Sequence, residues 1–215
     1  MHFIFDLDGT LIDSVPDIHH NINILLQEEG LPSLTLNQTT SFVGNGSKKL
    51  VERAFDHFNK KPDSDSELEM LSERFVAHYM DNLTTNTKIY PYVIEVLDYL
   101  SLKGHVLSLC TNKPLKPTLA ILDELNLAQF FQIVTGGDSY DQRKPSPLPL
   151  LKTIEQTNIS LENCIMVGDS IYDIEAGQAA NIQTILLTYG YTHGDLDKIH
   201  PTYICKSFND IKSLF

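Results

Sequence analysis

Long apolar runs are missing from this 215-residue chain. No stretch approaches the roughly 20 residues that cross a bilayer, so a soluble protein with no membrane partner is expected. A secretory leader is missing too: Met1-His2-Phe3-Ile4-Phe5-Asp6-Leu7-Asp8-Gly9-Thr10 carries two carboxylates where a leader has a basic head and a long apolar stretch. The cytoplasm is the default compartment. Cysteine is scarce, and Cys110, Cys164 and Cys205 lie far apart, each in an apolar run, which suits reduced core thiols better than disulfides or a metal cage. Basic charge is also in short supply. Sixteen Lys and Arg face 28 Asp and Glu, a formal charge of −12, with no local basic tract, which excludes affinity built on nucleic-acid phosphates. An anionic ligand would need a bound cation or a few positioned basic groups. Against these absences, 42 % apolar and 20 % charged residues give an ordinary globular profile.

Short apolar runs alternate with helical patterns. Phe3 to Phe5, Val106 to Cys110, Phe131 to Thr135, Cys164 to Val167 and Thr184 to Leu187 read as buried strands. Val93, Val96, Leu97 and Leu100 share one helical face that stops at Gly104, and Leu119, Leu122 and Leu125 share another. Strand alternating with helix predicts an α/β fold with a parallel, doubly wound, Rossmann-like sheet. Residues 15–85 break the rhythm with three amphipathic helices and no strand. Ile18, Ile22, Leu25 and Leu26 mark the first, Leu50, Val51, Ala54, Phe55 and Phe58 the second, and Leu68, Leu71, Phe75 and Tyr79 the third. A small all-helical insertion after the first strand, between core segments 1–14 and 86–215, would stand above the strand ends, where open α/β sheets bind ligands.

Four short segments carry chemistry. Asp6 and Asp8 are two apart, so in an extended segment both face one side while Leu7 turns to the core. Gly9 permits close backbone approach to a ligand, and the Thr10 hydroxyl can bond nearby. Asp169 and Asp173 follow a strand and share a face at a helix start, with Asp169 a candidate N-cap as well as a ligand. Hard Mg²⁺ suits a shell of Asp6, the Asp8 carbonyl and Asp169, with Asp173 direct or one water away. Four carboxylates converging without a cation would repel strongly. In Leu109-Cys110-Thr111-Asn112-Lys113-Pro114 a strand ends in a hydroxyl and free amides that can grip a phosphoryl oxygen. In Arg143-Lys144-Pro145-Ser146-Pro147 a cation precedes a helix with a Ser cap and Pro at its first position, so Lys144 can stand over the site as a point charge.

In this order, FDLDGTLIDS, CTNKP, RKPSP and GDSIYD resemble the four motifs of the haloacid dehalogenase superfamily of phosphohydrolases over essentially the whole chain. The helical insertion resembles its alpha-helical cap subclass. Within it, FVGNGSKKLVERA and TNKP are similar to the phosphoglycolate phosphatases. The resemblance implies a Mg²⁺-dependent phosphomonoesterase in which Asp6 is the nucleophile, Asp8 the general acid and base, and Thr111 and Lys144 the phosphoryl-binding catalytic groups. It implies substrate contacts from Thr10, Asn112 and the Gly44-Asn45-Gly46 loop. Lys48, Lys49 and Arg53 are candidate partners for a substrate carboxylate. The expected substrate is 2-phosphoglycolate, with another small sugar or acid phosphate as the alternative. Behind these stand a pyrophosphatase or phosphomutase on the same fold, and a binding module without turnover. A small phosphorylated metabolite is the expected partner, and monomer and homodimer both remain open.

Overall fold

The computed structural model describes residues 1–191 and 199–215. Six parallel strands lie in the order β5-β4-β1-β6-β7-β8: β1 (His2–Phe5), β4 (Val106–Cys110), β5 (Ile133–Thr135), β6 (Cys164–Gly168), β7 (Gln183–Leu187) and β8 (Tyr203–Cys205). The α/β class and the parallel sheet are as expected. All four β1 residues are buried, because β1 pairs with β4 on one side and β6 on the other and helices cover both faces. From β1 the chain first builds outward through β4 and β5, then returns to build the other half from β6. The ends of β1, β4 and β6 therefore flank the point where the winding reverses, which is where such sheets open a crevice.

Helices α5 (Val93–Leu102), α6 (Leu115–Glu124), α7 (Leu148–Glu155) and α8 (Ile171–Ala179) connect these strands. The face expected for α6 is rotated: Ile121 and Leu122 are buried and Leu119 is 48 % exposed, since the helix begins four residues before Leu119 and Pro117 and Thr118 pack inward. β8 escaped the sequence reading because it is three residues long at the sheet edge, with Ile204 facing solvent.

Residues between β2 (Ile12–Asp13) and β3 (Lys88–Ile89), two short strands that pair antiparallel, form four helices rather than three. They are α1 (Val15–Glu28), α2 (Leu36–Phe42), α3 (Gly46–His57) and α4 (Asp65–Asp81). α2 has no apolar stripe and buries only Thr39, but a capping box of Thr35 and Gln38 announces it. In α4 the four residues expected on the inner face, Leu68, Leu71, Phe75 and Tyr79, are all buried. None of the helices among the described residues is long and apolar enough to cross a membrane.

The two chain passages into and out of α1–α4 are clasped by one carboxylate. Asp17, 1 % exposed, accepts bonds from the main-chain N–H and side-chain amide of Asn86 and from the main-chain N–H and hydroxyl of Thr87, at 2.7 to 3.0 Å. Asp17→Ala strands the buried Thr87 N–H, at about 1–3 kcal/mol, and removes the acceptor of the Thr87 hydroxyl and of the more exposed Asn86 donors as well. Urea denaturation of this variant should show a loss of about 3 kcal/mol, and a loss below about 0.5 kcal/mol would contradict the clasp.

His2, the first residue of β1, is fully buried, its Nε2 2.8 Å from Ser108 Oγ. Burial, with help from the terminal ammonium, lowers its pKa from 6.5 to about 4. Below pH 6.5 the unfolded chain takes a proton that the folded chain refuses, so stability should fall from pH 6.5 to about 4 and then level. His2→Gln should flatten that segment of the curve. A His2 imidazole that titrates near 6.5 by NMR would refute the assignment.

Candidate active site

β1 delivers Asp6 at its carboxyl end, and the Asp6 N–H still bonds to Val167 O at 2.9 Å, so the residue is fixed to the sheet. β6 delivers Asp169, and α8 begins at once with Ser170 as its N-cap. Asp169 is thus not the cap expected of it. Its Oδ1 instead accepts from Thr10 Oγ1 at 3.0 Å and its Oδ2 from Tyr191 N at 2.7 Å. Asp173 sits in the first turn of α8, where its Oδ2 accepts from the Ser170 N–H and hydroxyl. Oxygen atoms of Asp6, Asp169 and Asp173 lie within 4.8 Å of one another, and all three residues are buried.

Lys144 is the cation inside this cluster. Its ammonium, 1 % exposed as a residue, reaches Asp173 Oδ1 at 2.5 Å, Cys110 O at 2.6 Å and Asp6 Oδ1 at 3.0 Å. Burial works against that charge, but Asp173 and Asp6 more than offset it and hold the ammonium protonated. Burial raises the Asp6 pKa from 3.8 to about 6 against the pull of Lys144. Asp169 is raised well above its ordinary value by burial and then by Asp173 and Asp6. Three carboxylates against one ammonium leave two negative charges uncompensated in a dry place, and the contact of Lys144 with Asp6 Oδ1 is not aligned as a hydrogen bond, which leaves that buried oxygen without one. An all-oxygen donor set with this charge excess fits a hard divalent cation.

Asp8 faces elsewhere. Its carboxylate takes Lys113 Nζ at 2.9 and 3.0 Å and the Ser14 hydroxyl. Ser14 stands at the N-cap of α1 but makes no cap bond with its side chain, which is spent on Asp8. A cavity of about 50 Å³ opens beside Asp6 and Asp8 and runs under α3 and α4, touching Thr111, Asn112, Lys113, Gly44 and Gly46. The Gly44-Asn45-Gly46 loop therefore stands at the site. Gly44 O accepts from Asn112 Nδ2 at 3.1 Å and Asn45 O from Arg143 Nη1 at 3.2 Å, so the loop rests on the segments that follow β4 and β5.

Some expected residues stand apart. Thr10 is fully buried and serves Asp169 rather than the cavity. Lys48 pairs with Glu69 at 2.8 Å, and Arg53 donates to Phe42 O and Tyr172 Oη, so neither lines the cavity. α7 starts at Leu148 with Pro147 in the cap position, because Ser146 N is bound to Arg143 O in a preceding turn; Ser146 Oγ still accepts from Leu148 N. Nothing in the sequence pattern points to Lys113 or Tyr191 as site residues, and Ser14 stands out only as a hinge position. Tyr191 links Asp169, through its N–H, to Asp13, Ser14 and Val15, through its hydroxyl. No local pattern marks it, since it lies far along the chain from all four.

An α/β core with a buried carboxylate cluster at the winding reversal and a cavity roofed by helices can hold a cation beside a small ligand. A family model of haloacid dehalogenase-like hydrolases matches residues 3–187. The chain belongs to that family. It is 37 % identical to a phosphoglycolate phosphatase of Nitrosococcus oceani, covering 98 % of this chain and 94 % of the relative, and 39 % identical to one of Aliivibrio fischeri, covering 89 % and 85 %. Among solved structures, a predicted phosphoglycolate phosphatase from Haemophilus somnus superposes with a TM-score of 0.92 at 32 % identity, covering 99 % of this chain and 96 % of that one.

Gly9 tests the tightness of the cluster. It has φ +86°, and a Cβ there would lie within 3 Å of all three carboxyl atoms of Asp169. Gly9→Ala should lose about 2 kcal/mol or more of stability, from left-handed strain and the forced shift of Asp169. Thermal and urea denaturation give the value, and wild-type stability would contradict the packing.

Proposed function

We propose that this hydrolase is a Mg²⁺-dependent phosphoglycolate phosphatase that converts 2-phosphoglycolate and water to glycolate and phosphate. The observation that carries the reading is the position of Asp6, which belongs both to the buried cluster with Lys144, Asp169 and Asp173 and to the wall of a small cavity. The names of the relatives, at 36–39 % identity over most of the chain, support the same substrate.

Asp6 is the nucleophile. Even with its pKa near 6 in the metal-free protein it is mostly ionised at neutral pH, so it attacks phosphorus without a base to activate it. The P–O bond to glycolate breaks as the Asp6–phosphorus bond forms, and the leaving alkoxide takes a proton from Asp8, which must enter this step as the carboxylic acid, with Lys113 drawn off its oxygens. Water then attacks phosphorus of the aspartyl-phosphate, gives its proton to Asp8 and frees Asp6. Lys144 keeps a fixed positive charge beside Asp6 throughout, at no cost of reorganisation. Thr111 and Asn112 border the cavity as contacts for the phosphoryl oxygens. Asp6, Asp169 and Asp173, with the Asp8 carbonyl, would hold Mg²⁺, which neutralises charge on the transferring phosphoryl group. Residues 15–85 act as the cap and residues 1–14 with 86–215 as the core, joined at the β2–β3 ribbon, and closure of the cap excludes water from the first transfer. The cavity's size fits a two-carbon alcohol portion, and a cytoplasmic metabolic role suits that substrate.

Phosphate release from a panel of small esters tests this. The strongest activity is expected with 2-phosphoglycolate in Mg²⁺, none with a chelator present, and at least a thousandfold loss in Asp6→Asn. Equal or better turnover of a sugar phosphate would refute the substrate, and full activity of Asp6→Asn would refute the nucleophile.

A further inference from the structure

Lys113 is a buried lysine whose neighbours are only half explained by Asp8. Its side chain is 6 % exposed, its main chain is pinned by bonds to Thr111 Oγ1 and from Gly137 N, and its ammonium stands 4.6 Å from the centre of the Tyr79 ring. Of the described residues that line the cavity it alone carries a positive charge. Among the described residues the other cations near the site are engaged elsewhere: Lys144 with Asp173 and Cys110 O, Arg53 with Phe42 O and Tyr172, Lys48 with Glu69, Arg143 with Asn45 O. Tyr79, 2 % exposed and lining the same cavity, has a hydroxyl with no hydrogen-bond partner among the described residues. A buried hydroxyl with no partner is costly unless a ligand completes it.

We propose that Lys113 of the core and Tyr79 of α4 together form the subsite for the substrate's carboxylate, so that specificity for a carboxylated phosphate ester is set by these two donors. The inference rests on the reading of 2-phosphoglycolate as substrate. A carboxylate offers two oxygens, and the pair offers an ammonium and a hydroxyl to meet them. The rest of the wall under α3 and α4 is mostly apolar, with Val43, Leu50, Phe75 and Val76, and its one hydroxyl besides Tyr79 is that of Ser47, which already accepts from Ser72 Oγ at 3.2 Å, so little is offered to sugar hydroxyls. The ammonium lies 2.9 and 3.0 Å from the two Asp8 oxygens in the free protein, and the substrate carboxylate competes for that cation rather than displacing a neutral group. Because Tyr79 comes from α4 and Lys113 from the loop after β4, a carboxylate held between them also ties the roof to the core.

The test uses the full chain with Mg²⁺ and compares kcat/KM for 2-phosphoglycolate with that for ethyl phosphate, which lacks only the acid. The wild type should prefer the acid. Lys113→Met should cut the preference ratio at least tenfold, chiefly through KM for 2-phosphoglycolate, and Tyr79→Phe, a change that removes one oxygen and preserves packing, should cut it about threefold. A selective wild type whose ratio is unchanged in both variants overturns the subsite alone, with Lys113 then acting through Asp8 on every ester alike. A wild type that turns over both esters equally overturns the substrate reading, and the subsite with it.

Discussion

Everything about this molecule follows from placing three carboxylates together where water is scarce. At a separation of about 4 Å, two like charges repel by about 4 kcal/mol at the effective dielectric of a protein near its surface, and more in drier surroundings. The chain meets that cost with directed partners rather than with exposure. Lys144 neutralises one charge, Ser170 at the N-cap of α8 donates to Asp173, and Thr10 and the Tyr191 N–H hold Asp169. What those partners leave uncompensated is an excess suited to a divalent cation. The sheet contributes by rigidity: Asp6 and Asp169 leave adjacent parallel strands whose register is fixed over four residue pairs.

The same economy governs the boundary between helices α1–α4 and the sheet. Polar groups there serve two elements at once, so that the site and the joint are built from shared parts. Ser14 gives up its helix cap to hold Asp8, Tyr191 joins Asp169 to the start of α1, and Asp17 binds the outgoing strand of chain. A change in the angle of the helices would therefore be felt at Asp8 and Asp169 through two or three hydrogen bonds. The apolar core adds continuity, since one cluster of buried residues runs from Phe3 and Phe5 through Leu11, Ile12 and Val15 to Leu50 and Phe75.

Elements with strong periodicity or full burial were legible in the sequence, and those held by tertiary partners were not. β1 and β6 are continuous apolar runs because they are covered on both faces, and α3 and α4 show their stripes because each packs one side inward. β8, α2 and the two-residue strands bury too little to leave a pattern. The carboxylates stood out because acid residues directly after buried runs are chemically conspicuous. Their partners did not, since a lysine such as Lys113 looks like any surface lysine until the fold buries it against Tyr79. For Arg53 and Lys48 the converse holds: a basic helix turn suggests an anion, and only the tertiary structure adds Tyr172 and Glu69 as partners of those charges.

The role of Asp6 is tested most directly by catching the enzyme in the act. A single turnover of excess enzyme with 2-phosphoglycolate and Mg²⁺, quenched in acid within the dead time of hydrolysis and digested for mass spectrometry, locates any transferred phosphoryl group. Phosphate on the peptide that contains Asp6, appearing and vanishing at rates that match glycolate and phosphate release, is the expected result. Release of glycolate and phosphate together with no phosphorylated peptide, or phosphate on a residue other than Asp6, would contradict it.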